Sequence, residues 1–208
     1  MKIVRTFHQF DNASVPIIDI VNVDLNWSGL ATLSGPSGSG KTTLFRLLSA
    51  WYESPRSICV FDPPIDQYRQ VRFVGAHDSL LPWKSVAGNF QYRGISREAA
   101  TGIVGQLGLS EEVLKLYIYE LSYGMYKRIE LAIAVHDRPK LLLLDEFFTS
   151  IDDMTKQSIR DYLQRERPDA RTWITAHEAE LRHWLTSIHF SLAVDKSTRC
   201  VTGIIPSE

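Results

Sequence analysis

Two short stretches combine residue types at spacings that do chemistry. Gly35-Pro36-Ser37-Gly38-Ser39-Gly40-Lys41-Thr42, followed by Thr43, fits the pattern G-x-x-x-x-G-K-[ST]. Its glycines let consecutive backbone N–H groups converge on one set of phosphate oxygens, Lys41 reaches the β and γ oxygens, and the Thr42 hydroxyl can bind Mg²⁺. Asp145-Glu146 follows the apolar run Leu141-Leu142-Leu143-Leu144. A carboxylate at the C-terminal end of a buried strand holds Mg²⁺ through water, and Glu146 beside it orients or deprotonates an attacking water. Taken singly, each stretch has a plainer reading, as a flexible helix cap and an acidic cap. Taken together they describe nucleotide phosphate chemistry, with kinases, GTPases, helicases and transporters all still open.

These residues need a scaffold, and the hydrophobic pattern describes one. Residues 1–10 and 15–25 alternate apolar and polar as half-buried strands do, with a turn at Asp11–Ser14. "GLATLSG" reads as a short buried strand that runs into the glycine loop, and "LFRLLSAWY" behind it has helical spacing. "SICVFD" and "QVRFVG" are two further strands. From Pro82 to about Val135 the pattern is helical, clearest in "REAATGIVGQLGL" and "YKRIELAIAV". "PKLLLLDEFF" then reads as a fully buried parallel strand. A helix ("DMTKQSIRDYLQRER"), a strand ("RTWITAH"), a helix ("EAELRHWLT") and a terminal pair of strands complete the chain. Strands alternating with helices imply an α/β fold with a mostly parallel sheet, N-terminal antiparallel strands and an inserted α-helical subdomain over about 82–135.

The bulk composition narrows the function classes. At 208 residues with 44% hydrophobic side chains the chain fits one domain, or one domain with an inserted lobe. A net charge of −1 provides no global field for drawing in nucleic acid. Cys59 and Cys200 are too few for a disulfide framework and lack zinc spacing, so a reducing cytosolic setting is the default expectation. No window reaches the roughly 18 apolar residues that a membrane span needs, so work at a membrane would require another chain to hold the protein there.

The stretch from residue 120 to 152 decides among the nucleotide-binding families. "LSYGMYKRIELAIAVHDRPKLLLLDEFFTSID" resembles, position by position, the run of ATP-binding-cassette (ABC) proteins from their "LSGGQ" signature through the second carboxylate motif. Leu121, Ser122, Tyr123, Gly124 and Met125 then stand for the signature, with Tyr123 in place of a glycine and Met125 in place of a glutamine. Arg128, Pro139, Glu146 and Asp152 also match, Asp152 at the position of the family's D-loop. His177 in "TAHE" matches the switch histidine, although a capping or merely exposed histidine is the plainer reading. The resemblance covers nearly the whole chain and implies a P-loop NTPase with a RecA-like core (1–81 and 136–208) in a single ABC ATPase domain, 1–208.

The resemblance also implies a mechanism. ATP and Mg²⁺ are bound at Gly35–Thr43 and Asp145, Glu146, His177 and Lys41 serve catalysis, and two subunits sandwich ATP between the phosphate loop of one and the signature of the other. Ser122 and the backbone near Gly124, at a helix N-terminus, would offer donors and a positive dipole to the partner's γ-phosphate. Tyr123 is the anomaly, because glycine permits close approach and unusual φ where tyrosine narrows both unless its ring turns outward. The family's Mg²⁺-binding glutamine before the helical lobe falls on Ala76. His77 beside it either substitutes when its imidazole is neutral or the position is lost. Phe7 or Phe10 would stack on adenine, or be plain strand core.

"LLPWKSV" resembles the matching stretch in ATPases of nitrate, sulfonate and taurine importers. The expected function is therefore the ATP-hydrolysing subunit of an importer at the inner face of the cell membrane. Its partners would be transmembrane permease subunits and a solute-binding protein, with a homo- or heterodimer of ATPase subunits and no nucleic acid. The alternatives are a soluble ABC ATPase and a regulatory module that holds ATP but hydrolyses it weakly.

Overall fold

The computed structural model describes residues 1–52, 55–75, 80–149, 151–175 and 188–207. These fall into two compact units, Met1–Phe73 with Pro139–Glu146 and Asp169–Glu208, and Val74–Arg138 with Phe147–Pro168.

The first unit is built on a mixed sheet whose strands, in chain order, are β1 (Lys2–His8), β2 (Ile18–Asp24), β3 (Leu30–Ser34), β4 (Ser57–Asp62), β5 (Val71–Val74), β6 (Leu141–Leu144), β7 (Arg171–Thr175), β8 (His189–Val194) and β9 (Val201–Pro206). Their order across the sheet is β4-β1-β2-β9-β8-β3-β7-β6-β5. β8, β3, β7 and β6 run parallel to their neighbours in that series, whereas β1 lies antiparallel to both β2 and β4. The uninterrupted leucines of β6 are all fully buried, as a strand covered on both faces requires. Trp173 of β7 sits between Ala31 of β3 and Leu143 of β6. Its indole packs 5.1 Å from the Trp27 ring and 5.7 Å from that of Phe45. Phe45 belongs to α1 (Lys41–Leu48), which buries Leu44, Phe45, Leu47 and Leu48.

Simple alternation along β1 would put Ile3, Arg5 and Phe7 on one face. A register shift between Ile3 and Arg5 against β4 changes the frame, so Ile3, Thr6 and His8 turn inward and are buried. Phe7 is left beside Arg5, whose guanidinium lies 5.6 Å from the Phe7 ring centre.

The second unit is helical. A short helix α2 (Gln67–Gln70) in the first unit precedes it, and it contains α3 (Val86–Tyr92), α4 (Arg97–Gln106), α5 (Tyr123–His136) and α6 (Asp153–Glu166). Each of these four helices starts on a side-chain cap, from Ser85, Ser96, Ser122 and Asp152 in turn, which answers one of the first-turn N–H groups that the helix cannot bond itself. The unit reaches beyond the expected 82–135 stretch to take in α6. Ser158 of α6 donates to the Leu107 carbonyl at 3.1 Å, and a β-carbon at Gly124 in α5 would meet the Thr155 methyl at 3.6 Å. Buried Asn89 closes the turn before α3, accepting from Leu81 N at 2.7 Å and donating to Ser85 O at 3.0 Å.

Leu143 lies in the centre of β6 with no exposure. Leu143→Ala is expected to lower unfolding free energy by about 2–5 kcal/mol, measured by denaturant titration.

Candidate functional site

The glycine loop connects β3 to α1, as the strand, loop, helix order predicts. Gly38 and Gly40 take φ of 74° and 93°, the left-handed region that a side chain resists, and Gly40 is the residue that enters α1. A β-carbon at Gly35 would sit 2.7 Å from Ser39 Oγ, so any larger residue there would displace that hydroxyl. Lys41 folds back over the loop, donating to Gly35 O at 2.8 Å and Pro36 O at 3.0 Å. Burial holds its ammonium below the usual lysine range, partly opposed by Glu146 and Asp145. Ser39 Oγ is buried without a hydrogen-bond partner among the described residues. A ring of glycines, an orphaned hydroxyl and the first N–H groups of α1 form a cradle suited to an anion.

β7 lies between β3 and β6 in the sheet, and this arrangement sets the rest of the site. The parallel register pairs Leu33 with Thr175 and Leu144 with Ile174, so three strands end together. At their C-terminal edge Thr42 Oγ1 donates to Asp145 Oδ2 at 2.7 Å. Thr175 Oγ1 donates to Asp145 Oδ1 at 3.0 Å and accepts from Glu146 N at 2.6 Å. Asp145 is 7% exposed. Glu146 turns out to solvent with φ of 48°, a left-handed conformation uncommon for a side chain of its size.

Thr42 and Asp145 thus place two hard oxygens together beside the phosphate cradle. That donor set fits Mg²⁺, which takes one or two protein oxygens and completes its shell with phosphate and water.

Residues 121–125 form the entry to α5. Ser122 caps the helix, its Oγ accepting from Met125 N at 3.3 Å. Tyr123 and Gly124 lie in the first turn, and neither has a positive φ. The special backbone freedom expected of a glycine at 123 is therefore not called upon. The Tyr123 ring is 45% exposed and lies along the helix, 5.7 Å from Lys127 Nζ one turn on. Burial, with a further contribution from Glu130, pushes its phenol above the usual range. Arg128 donates to Gly124 O at 3.1 Å and to Leu107 O at 3.1 Å, tying the first turn of α5 to the end of α4. Leu121 follows the 3-10 turn Ile118–Glu120 and precedes the cap of α5.

The remaining expected residues are more dispersed. Asp152 caps α6, its Oδ1 accepting from Thr155 N at 2.9 Å, and these bonds hold its carboxyl below the usual range. Phe10 is 43% exposed and meets His8 edge to face at 4.5 Å, so neither Phe10 nor Phe7 is sealed in the core. Ala76, His77 and His177 lie outside the described residues.

Comparison with known proteins settles the lineage. The sequence profile described as ABC transporter matches residues 18–149. The chain belongs to the ABC transporter family. It is 30% identical over 203 residues to the taurine import ATP-binding protein TauB of Pseudomonas putida, covering 90% of this chain and 76% of that protein. It is 32% identical to the sulfate/thiosulfate import ATP-binding protein CysA 1 of Agrobacterium fabrum, covering 86% of this chain and 57% of that one. Its fold matches the ATP-binding cassette MJ0796 in a dimeric post-hydrolysis state bound to ADP and Pi, with a TM-score of 0.72 over 91% of this chain and 93% of that chain at 20% identity. It also matches a bacterial Atm1-family ABC exporter with ATP bound, with a TM-score of 0.76 at 20% identity over 92% of this chain and 36% of the exporter. The ABC fold is thus shared, including the mixed sheet with its helical complement.

Within this ABC chain, two features escape motif reading. One is Thr175. The other is a buried ion pair, Lys127 to Glu130 at 3.0 Å, both side chains 1% exposed. Lys127 also donates to Gly75 O at 3.0 Å and lies 5.0 Å from the Phe147 ring centre. The only sequence signal is a Lys and a Glu three residues apart, just ahead of the apolar run Leu131–Val135.

Lys127→Met alone leaves Glu130 buried without this cation and is expected to cost about 3–5 kcal/mol. The double variant Lys127→Met with Glu130→Leu is expected to recover most of that loss. Urea unfolding of the two variants beside the parent checks both statements.

Proposed function

We propose that this ABC protein is the ATP-binding and ATP-hydrolysing subunit of a membrane importer. The observation that carries the reading is the meeting of Thr42 and Asp145 beside a glycine cradle with an unpartnered Ser39 hydroxyl. In this reading the β and γ phosphates take the place of the Gly35 and Pro36 carbonyls at Lys41, and the loop N–H groups with Ser39 bind the remaining oxygens. Thr42 and Asp145 hold Mg²⁺, which when bound offsets phosphate charge. Glu146, exposed at the strand end, accepts the proton of the attacking water as it adds to the γ-phosphorus. The family resemblance assigns His177 a further role at the γ-phosphate.

Two copies arranged head to tail complete each site, with Ser122 and the α5 N-terminus of one facing the γ-phosphate of the other. The ordinary helical geometry at Tyr123 supports a helix start open to the partner's γ-phosphate. Its ring lies along α5 towards Lys127, which leaves the N-terminal N–H groups of the helix available to an anion.

No helix among the described residues is long and apolar enough to cross a membrane, so the importer's passage would be made by permease subunits. Exposed Trp83 and Tyr92 of the helical unit, 71% and 66% exposed, are apolar surface of the kind a partner covers. The likeness to taurine and sulfate import ATP-binding proteins supports import as the direction of transport.

Glu146→Gln is expected to lower turnover by about 10²–10⁴-fold while ATP binding persists, with phosphate release and equilibrium nucleotide binding as the two measurements. Unchanged turnover would defeat the assignment of the base. Co-expression with neighbouring membrane genes is expected to yield a detergent-stable complex, and repeated failure to co-purify would remove the importer reading.

A further inference from the structure

Thr175 belongs to none of the motifs that led to the site, yet its hydroxyl is engaged on both sides. An amide nitrogen can only donate, so in the 2.6 Å contact Thr175 Oγ1 accepts from Glu146 N. A carboxylate can only accept, so in the 3.0 Å contact Oγ1 gives its single proton to Asp145 Oδ1. The direction of the chain is fixed from Glu146 N–H through Thr175 O–H to Asp145, whose second oxygen is taken by Thr42. Donating to a charged group makes the hydroxyl a better acceptor in turn, so the two bonds reinforce each other in a buried setting. Thr175 is 2% exposed.

Glu146 needs such support. A glutamate at φ of 48° persists only where its surroundings hold it. Asp145 before it directly follows the β6 ladder and is held by the Thr42 contact. The amide of Glu146 itself is fixed by Thr175. An apolar residue of the same shape at 175 would leave the Glu146 N–H and one Asp145 oxygen without this partner, and the peptide between them free to rotate.

We infer that Thr175 is a positioning residue for Glu146, its hydroxyl locking the left-handed turn that carries the Glu146 carboxylate away from Asp145 and out over the strand ends. The inference rests on the reading of Glu146 as the base. It adds a third strand to the catalytic set, because the group that orients the base comes from β7 and is remote in sequence from the carboxylates it serves.

The test compares Thr175→Val, which keeps the shape and removes the hydroxyl, with Thr175→Ser, which keeps the hydroxyl. Thr175→Val is expected to lower kcat by about 10- to 100-fold with KM for ATP within about twofold. In the nucleotide-free full chain, the Glu146 amide proton should exchange at least about tenfold faster by NMR, since its acceptor is gone. Thr175→Ser is expected to stay within about threefold of the parent in kcat and to keep the amide protected. Wild-type kcat in Thr175→Val, or equal losses in the Val and Ser variants, would overturn the inference, the latter because the methyl group rather than the hydroxyl would then matter. If Thr175→Val does not fold, Thr175→Ala is judged by the same two readouts. Glu146→Gln separates the two claims. Should that variant turn over like the parent, the base assignment falls, while unchanged Glu146 amide exchange in Thr175→Val would sink the positioning claim independently.

Discussion

The Asp145 carboxylate is shared between two threonines, and most of the first unit is arranged so that this can happen. Thr42 reaches it from the start of α1 and Thr175 from the end of β7. Both contacts need β3, β7 and β6 to lie side by side, parallel and in register, so that their C-terminal ends coincide. A slip of one residue in β7 would turn Thr175 to the other face of the sheet and offer Asp145 a different side chain. The packing beneath guards against that slip. Trp173 is two residues back on the same strand, fully buried, and wedged among Trp27, Phe45 and Phe190. An indole of that size tolerates little displacement in a close-packed interior. The aromatic core thereby sets the register, and the register sets the polar contacts.

The helical unit shows the same dependence of a polar arrangement on buried geometry. The N-terminus of α5 is positioned by Arg128, which bridges Gly124 O and Leu107 O, and by Ser158 of α6, which shares the Leu107 carbonyl. Beneath it lies the Lys127–Glu130 pair. Taking two charges out of water is costly, and their attraction repays the cost only with further hydrogen bonds. Lys127 has one in Gly75 O, together with the faces of Tyr123, Tyr126 and Phe147. Tyr123, which departs from the signature glycine of the family, and Phe147 both meet at this lysine. The unusual tyrosine therefore has a physical partner and a defined place along the helix.

Much of the site was readable from the chain because its requirements are local. A glycine loop between a buried strand and a helix demands left-handed φ at set positions, and Gly38 and Gly40 adopt it. Ser122 caps α5 where a serine ahead of an apolar helical run should. The leucine run of β6 could only be a strand covered on both faces. At Tyr123 the glycine of the family suggests an unusual φ that the helix does not use, because only the paired geometry of the helix start shows which backbone conformation is needed. β1 was legible as a strand but not in phase, since a bulge is a matter of how two strands pair and leaves no mark in one of them.

Sequence alone determined the chemistry available to this ABC protein: the phosphate loop, the paired carboxylates and the helix start that faces a second copy in the proposed dimer. Each of these is written in a few consecutive residues whose covalent spacing and backbone preferences are enough to specify it. Tertiary structure decided which groups orient that chemistry. Thr175 is 30 residues from Asp145 and 29 from Glu146, and Lys127 is 52 residues from Gly75. A hydroxyl or an ammonium becomes a partner only when strand order and packing bring it within about 3 Å, and no local pattern records that distance.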